Sequence, residues 1–147
     1  MKTKRILFVT YENPFTRNTG DSIYTANIIE ALLDLNNKVD IIYFDTNPTE
    51  PFLSKESAQK FNIVQEVKFK KKSPLAFVFS FKPAMIVNRQ SKSYLNKLKE
   101  MLRKNSYDSI FINHQKMLFT LPLLLKKKNK NNLIFCSHNA EYLLSRN

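Results

Sequence analysis

The sequence predicts an α/β fold, a parallel sheet flanked by helices, and three observations carry that expectation. Four or five short apolar runs rich in branched residues alternate with longer helical patterns, as successive strands joined by crossover helices require. The first run, Arg5 to Thr10, is apolar at successive rather than alternate positions, which marks a strand buried on both faces and therefore central. Ser91 to Lys104 places Tyr94, Leu95, Leu98, Met101 and Leu102 on one stripe and Lys97, Lys99 and Arg103 largely off it, as a crossover helix at the surface does.

The elements follow in order from local chemistry. A polar loop runs from Tyr11 to Gly20, after which Asp21 or Ser22 is a natural cap for a helix with apolar positions Ile23, Ala26, Ile29, Leu32 and Leu33. Asn36 and Asn37 end it, Val39 to Phe44 reads as a second buried strand, and Asp45 to Pro48 is a turn signal. One βαβ unit is then complete, with a right-handed crossover expected. Between Pro48 and Pro83 the pattern predicts a polar loop, a helical patch at Ser57 to Phe61, a strand from Ile63 to Phe69, the Lys70 to Lys72 run and an apolar stretch from Leu75 to Phe81. Ser109 to Asn113 is a strand, and Met117 to Leu125 a short helix despite Pro122. Leu133 to Cys136 is the last strand, delivering Ser137, His138 and Asn139 to its carboxyl end, and Ala140 to Arg146 begins another helix.

Composition bounds the function classes. A chain of 147 residues has room for one domain with its own core and not for a two-domain enzyme. The 24 basic against 12 acidic residues favour anionic partners without choosing among nucleic acid, phosphorylated ligands and acidic membrane, and compositional drift toward lysine and asparagine accounts for part of the excess. Cys136 is the only cysteine, which excludes an intramolecular disulfide and a cysteine-based zinc site and fits a reducing compartment. No apolar run approaches the roughly 18 to 20 residues that cross a bilayer, and Ile6 to Val9 is too short for a signal-peptide core, so the cytoplasm is the default location.

Five segments together resemble the first domain of retaining GT-B glycosyltransferases: Lys4 to Thr10; Asn18-Thr-Gly-Asp-Ser22; Ala31 to Leu35 with Val39 to Ile42; Tyr107 to Phe111; and Cys136-Ser-His-Asn-Ala-Glu141. The most specific feature is an aspartate before a strand, followed one crossover later by strand-His-Asn-x-Glu. The resemblance runs the length of the chain and implies a Rossmann-like, acceptor-side domain, short of its last strand or two. It also implies that a carboxy-terminal domain, absent here, holds the nucleotide-sugar donor, so no cofactor is expected in this domain and the chain by itself is expected to be inactive. Family members often carry a glycine pair in the first loop, whereas here Thr19 precedes Gly20.

The candidate site residues divide between chemistry and resemblance. By resemblance His138 contacts the transferred sugar or acceptor by hydrogen bonding, with Asn139 and Glu141 beside it. A histidine there also fits a helix cap, and a carboxylate in a first helical turn is favoured by the helix dipole alone. Gly20, Asp21 and Ser22 open the first helix, where free N–H groups suit a phosphate of donor or acceptor, although an aspartate repels phosphate and the plain turn-and-cap reading favours Asp21 as structural. His114, with Gln115, follows a strand and either lines the acceptor cleft or lies on the surface. Lys70, Lys71 and Lys72, near Phe69, Phe77, Phe79 and Phe81, form either a solvated run or a patch for the inner face of an acidic membrane, where glycosyltransferases of lipid-linked acceptors dock. Two histidines without cysteine partners or spaced carboxylates make no metal site, and no nucleic-acid-reading module is present.

Two functions compete. The first is the acceptor half of a glycosyltransferase in surface polysaccharide synthesis, partnered by its missing donor domain and by a glycan or lipid-linked acceptor. The second is a non-catalytic module that docks a protein partner or an acidic membrane. A nucleotide-dependent oxidoreductase is disfavoured because the first loop has no G-x-G-x-x-G. Self-association is expected if an apolar face is left uncovered.

Overall fold

The computed structural model of the protein describes residues 2–15, 19–45, 61, 63–68, 91–126 and 132–137. Its elements are β1 (Arg5–Val9), α1 (Gly20–Asp34), β2 (Lys38–Asp45), β3 (Ile63–Lys68), α2 (Lys92–Lys104), β4 (Ser109–Asn113), a 3-10 turn (Gln115–Thr120), α3 (Leu121–Lys126) and β5 (Asn132–Cys136). The five strands form one sheet in the order β3-β2-β1-β4-β5, every neighbouring pair parallel. The architecture is α/β and consistent with a Rossmann-like fold, with β1 at the centre as its unbroken apolar run requires.

Because side chains alternate across a strand, β1, β2 and β4 each feed two cores. Leu7, Val9, Ile42, Phe44, Ile110 and Ile112 face α2, which inserts Tyr94, Leu98, Met101 and Leu102. Phe8, Val39, Ile41 and Tyr43 face the opposite side, where α1 lays Ile29 on them with Leu32 and Leu33 packed against the cluster. Ser91 caps α2 by accepting from the Tyr94 N–H at 3.2 Å. The Tyr94 hydroxyl, fully buried, shares its one proton between the carbonyl oxygens of Ile42 (2.8 Å) and Thr10 (3.2 Å), tying the helix to the middle of β2 and the residue after β1.

Three expectations need correction. The cap of α1 is Thr19, not Asp21 or Ser22: its Oγ1 accepts from the Ser22 N–H (3.1 Å) while Ser22 Oγ accepts from the Thr19 N–H (3.0 Å). This reciprocal box starts the helix earlier because it satisfies two otherwise orphan donors. The buried stripe of α1 is Ser22, Thr25, Ala26 and Ile29, while Ile23 turns outward, 42% exposed. The stretch expected as one helix over Met117 to Leu125 is a 3-10 turn followed by α3, with Pro122 in the first turn of α3, where a missing N–H costs nothing. Of the patch at Ser57 to Phe61, only Phe61 is among the described residues. The rest of that patch, the Leu75 to Phe81 stretch and the helix after Ala140 lie outside them.

A polar network ties the strands together at the amino end of the sheet. Asp40, wholly buried at the start of β2, accepts from Arg5 Nε (3.1 Å), Arg5 Nη2 (2.9 Å) and the Tyr107 hydroxyl (2.8 Å). Asp108 Oδ2 accepts from the Arg5 N–H at 2.7 Å, so the aspartate read from sequence as the marker before a strand pins β4 to β1. Beside β4, β5 is the outer strand, and Ile134 (37%) and Phe135 (48%) remain exposed. Among the described residues no helix is long and apolar enough to cross a membrane.

Candidate functional site

From β1 the chain proceeds outward through β2 and β3, then returns to the other side of β1 to place β4 and β5. The carboxyl ends of β1 and β4 therefore flank a topological switch point, the crevice where open α/β sheets bind ligands because the connections leave in opposite directions. The residues there are polar and mostly buried. Thr10 follows β1, Asn113 ends β4, and Asn113 Nδ2 donates to Thr25 Oγ1 on α1 (2.6 Å) and to Thr10 Oγ1 (3.2 Å). Thr25 in turn donates to the Asp21 carbonyl at 2.7 Å. Thr25, polar on the buried stripe of α1, thus bonds the residue that ends β4, while Ser22 serves the cap.

His114 is the first residue beyond β4. It is buried, 3% exposed, which corrects the surface reading. Its backbone sits at φ 81°, ψ 139°, a region that costs a non-glycine residue about 1–3 kcal/mol and turns the chain sharply out of the strand. Nε2 lies 3.2 Å from Asp21 Oδ2, and Nδ1 accepts from the Lys116 N–H at 3.3 Å. Lys116 Nζ stands 5.1 Å from the centre of the Tyr11 ring, closing the side of the loop. Gln115 is half-buried at the start of the 3-10 turn.

Of the residues predicted from sequence, the structure brings Asp21 and His114 together here, with Gly20 at the start of α1 and Ser22 in its cap. Gly20 has no positive φ, and a Cβ built on it meets nothing within 4 Å, so no intramolecular contact demands a glycine. The Ser22 N–H is already bonded to Thr19, and the carboxylate of Glu12 accepts from Thr19 Oγ1 at 2.6 Å. With Glu12 and Asp21 both near the helix start, the phosphate role expected of Gly20, Asp21 and Ser22 is opposed by charge and by the occupied cap. His138, Asn139, Glu141 and Lys70 to Lys72 lie outside the described residues.

Sequence reading missed Thr10, Thr25, Asn113 and Glu12. The available signal was polarity where the pattern calls for apolar residues: Ser22 and Thr25 on the buried stripe of a helix, and Asn113 closing a buried strand. A groove of about 260 Å³ opens at the opposite, amino end, lined in part by Ile6, Phe111, Ile134, Lys2 and Lys4. Its described lining holds no carboxylate or imidazole. No protein-family model matches the chain, and no curated protein matches it.

Proposed function

We propose that the chain is the acceptor-side half of a GT-B glycosyltransferase of the retaining kind, moving sugar from a nucleotide-sugar donor to a glycan or lipid-linked acceptor. The observation that carries the reading is the polar crevice at the switch point, in which Asp21, His114 and Asn113 converge at the carboxyl ends of β1 and β4. The sequence resemblance supplies the reaction class. In this reading the resemblance assigns His138 to contact with the transferred sugar or acceptor, and Asn139 and Glu141 to the acceptor. Donor contacts and stabilisation of the departing diphosphate come from a second domain, since interactions that strengthen in the transition state have to surround the charge that develops there.

The test joins the chain to the coding sequence that follows it in its gene, or co-expresses the two, and assays transfer with a panel of nucleotide sugars. Turnover that His138→Ala abolishes without unfolding the protein supports the reading. Absence of donor binding or turnover by the joined halves rejects it. A second reading, a binding module for an acidic partner or membrane surface, is favoured by the net charge of +12 and the exposed apolar residues of β5. Vesicles containing anionic lipid test its membrane arm, which requires binding that weakens as salt rises, and turnover by the joined halves separates the two readings.

A further inference from the structure

The groove at the amino end of the sheet stands apart from the switch point, and its floor follows from strand register. Ile6 pairs with Ser109 and Phe111 with Ile134, so these four lie side by side where β1, β4 and β5 run together. Phe111 stacks on Phe8 at 5.3 Å in the core on the α1 side, and alternation puts Ile6 and Ser109 on that same face. Leu32, near the end of α1, and Leu35, just past it, add apolar wall, and the exposed Lys2 and Lys4 ahead of β1 add charge. Ser109 is 7% exposed, yet its hydroxyl bonds no protein group among the described residues, although buried polar side chains are as a rule hydrogen-bonded. Neither lysine has an ion-pair partner among the described residues.

We infer that this groove binds a small anionic amphiphile, a short apolar body ending in one oxyanion, with the oxyanion held by Ser109 Oγ, Lys2 and Lys4. A buried hydroxyl donor beside two uncompensated cations selects a negatively charged acceptor over a cation or a neutral group. The apolar floor selects a ligand with a body over a bare ion, and it leaves Ile134 37% and Leu35 62% exposed for that body to cover. The volume of about 260 Å³ lies near the lower end of small-molecule sites, about 300 Å³, so the ligand is compact. The glycosyltransferase reading does not use this groove, and either can fail alone.

The experiment titrates octanoate, below its micelle-forming concentration, into the full chain labelled with nitrogen-15, with octanol, octylammonium and acetate as contrasts. The expected result is saturable shifts of the Lys2, Lys4, Ser109, Phe111 and Ile134 amides with octanoate, weaker binding of octanol and acetate, and none of octylammonium. Octanoate affinity falls as salt rises. Ser109→Ala lowers it about tenfold, the order of one hydrogen bond to a charged group, and leaves the thermal midpoint of the free chain unchanged or higher because no protein bond is lost. Lys2→Gln combined with Lys4→Gln removes the preference for octanoate over octanol while the amides of β1 and β2 keep their dispersion. Octanoate that does not saturate these amides, octanol or octylammonium that binds equally well, or affinity that both variants leave unchanged overturns the inference. A lowered midpoint in Ser109→Ala means that the hydroxyl serves the fold, and overturns it as well.

Discussion

The two ends of the sheet use the same kinds of side chain to opposite effect. At the amino end a wholly buried carboxylate, Asp40, is surrounded by Arg5 and Tyr107, and its hydrogen bonds point inward. At the carboxyl end the Asp21 carboxylate is backed by a buried imidazole and remains partly exposed, beside a backbone turn that is costly for histidine. The difference teaches how enclosure separates two uses of the same charge. A charge enclosed with its partners ties β1 to β2, while a charge held by a partner and still partly exposed marks the polar end of the sheet.

The largest effect that would break this contrast belongs to the amino end. Arg5→Met should destabilise the fold by about 3 kcal/mol, because it leaves the buried Asp40 carboxylate without the Arg5 cation, and chemical denaturation measures the loss. A loss below about 1 kcal/mol would mean that the network does not tie the strands together at this end of the sheet.

Next in size is the tie between α2 and the sheet. Tyr94→Phe removes the hydroxyl that serves the Thr10 and Ile42 carbonyls and should cost about 1–2 kcal/mol. Both buried tyrosines also set an alkaline limit. Burial holds the Tyr94 phenol well above its ordinary range, and burial, then the hydrogen bond and charge of Asp40, raise Tyr107. The folded protein keeps these protons where the unfolded chain releases them, so the contribution is complete below about pH 10 and is lost as pH rises beyond it. Denaturation followed from pH 8 upward should show the decline, and Tyr94→Phe should make it shallower.

The smaller effects sharpen the picture of the carboxyl end. Thr19→Ala should cost about 1 kcal/mol through loss of the reciprocal cap, with the thermal midpoint as readout. Gly20→Ala should leave the free chain unchanged or stabilise it by about 0.5 kcal/mol, since the backbone conformation and the space are both permissive.

Much of the fold was legible because its signals are local and periodic. The unbroken apolar run of β1 announced a strand covered on both sides, and the stripe of α2 announced its buried face through Tyr94, Leu98, Met101 and Leu102. The α1 stripe differs at its start because Ile23 looks like core, whereas the helix is rotated to bury Ser22 and Thr25, the latter against Asn113. Hydrophobicity alone cannot report that rotation, since it is set by what lies beneath the helix. Likewise His114 looked like a surface residue because nothing beside it in sequence shows the carboxylate that meets it.

By itself the sequence determined the class, the central strands and the faces of the helices far from the crevice, since periodicity and capping act over a few residues. Tertiary structure alone decided that β1 lies between β2 and β4, and so where the switch point falls. It alone joined Asp21 to His114, Asn113 to Thr25 and Asp40 to Tyr107, pairs separated by 93, 88 and 67 residues. Such pairs depend on the path by which the chain returns to the sheet, which is a property of the packed whole and of no segment within it.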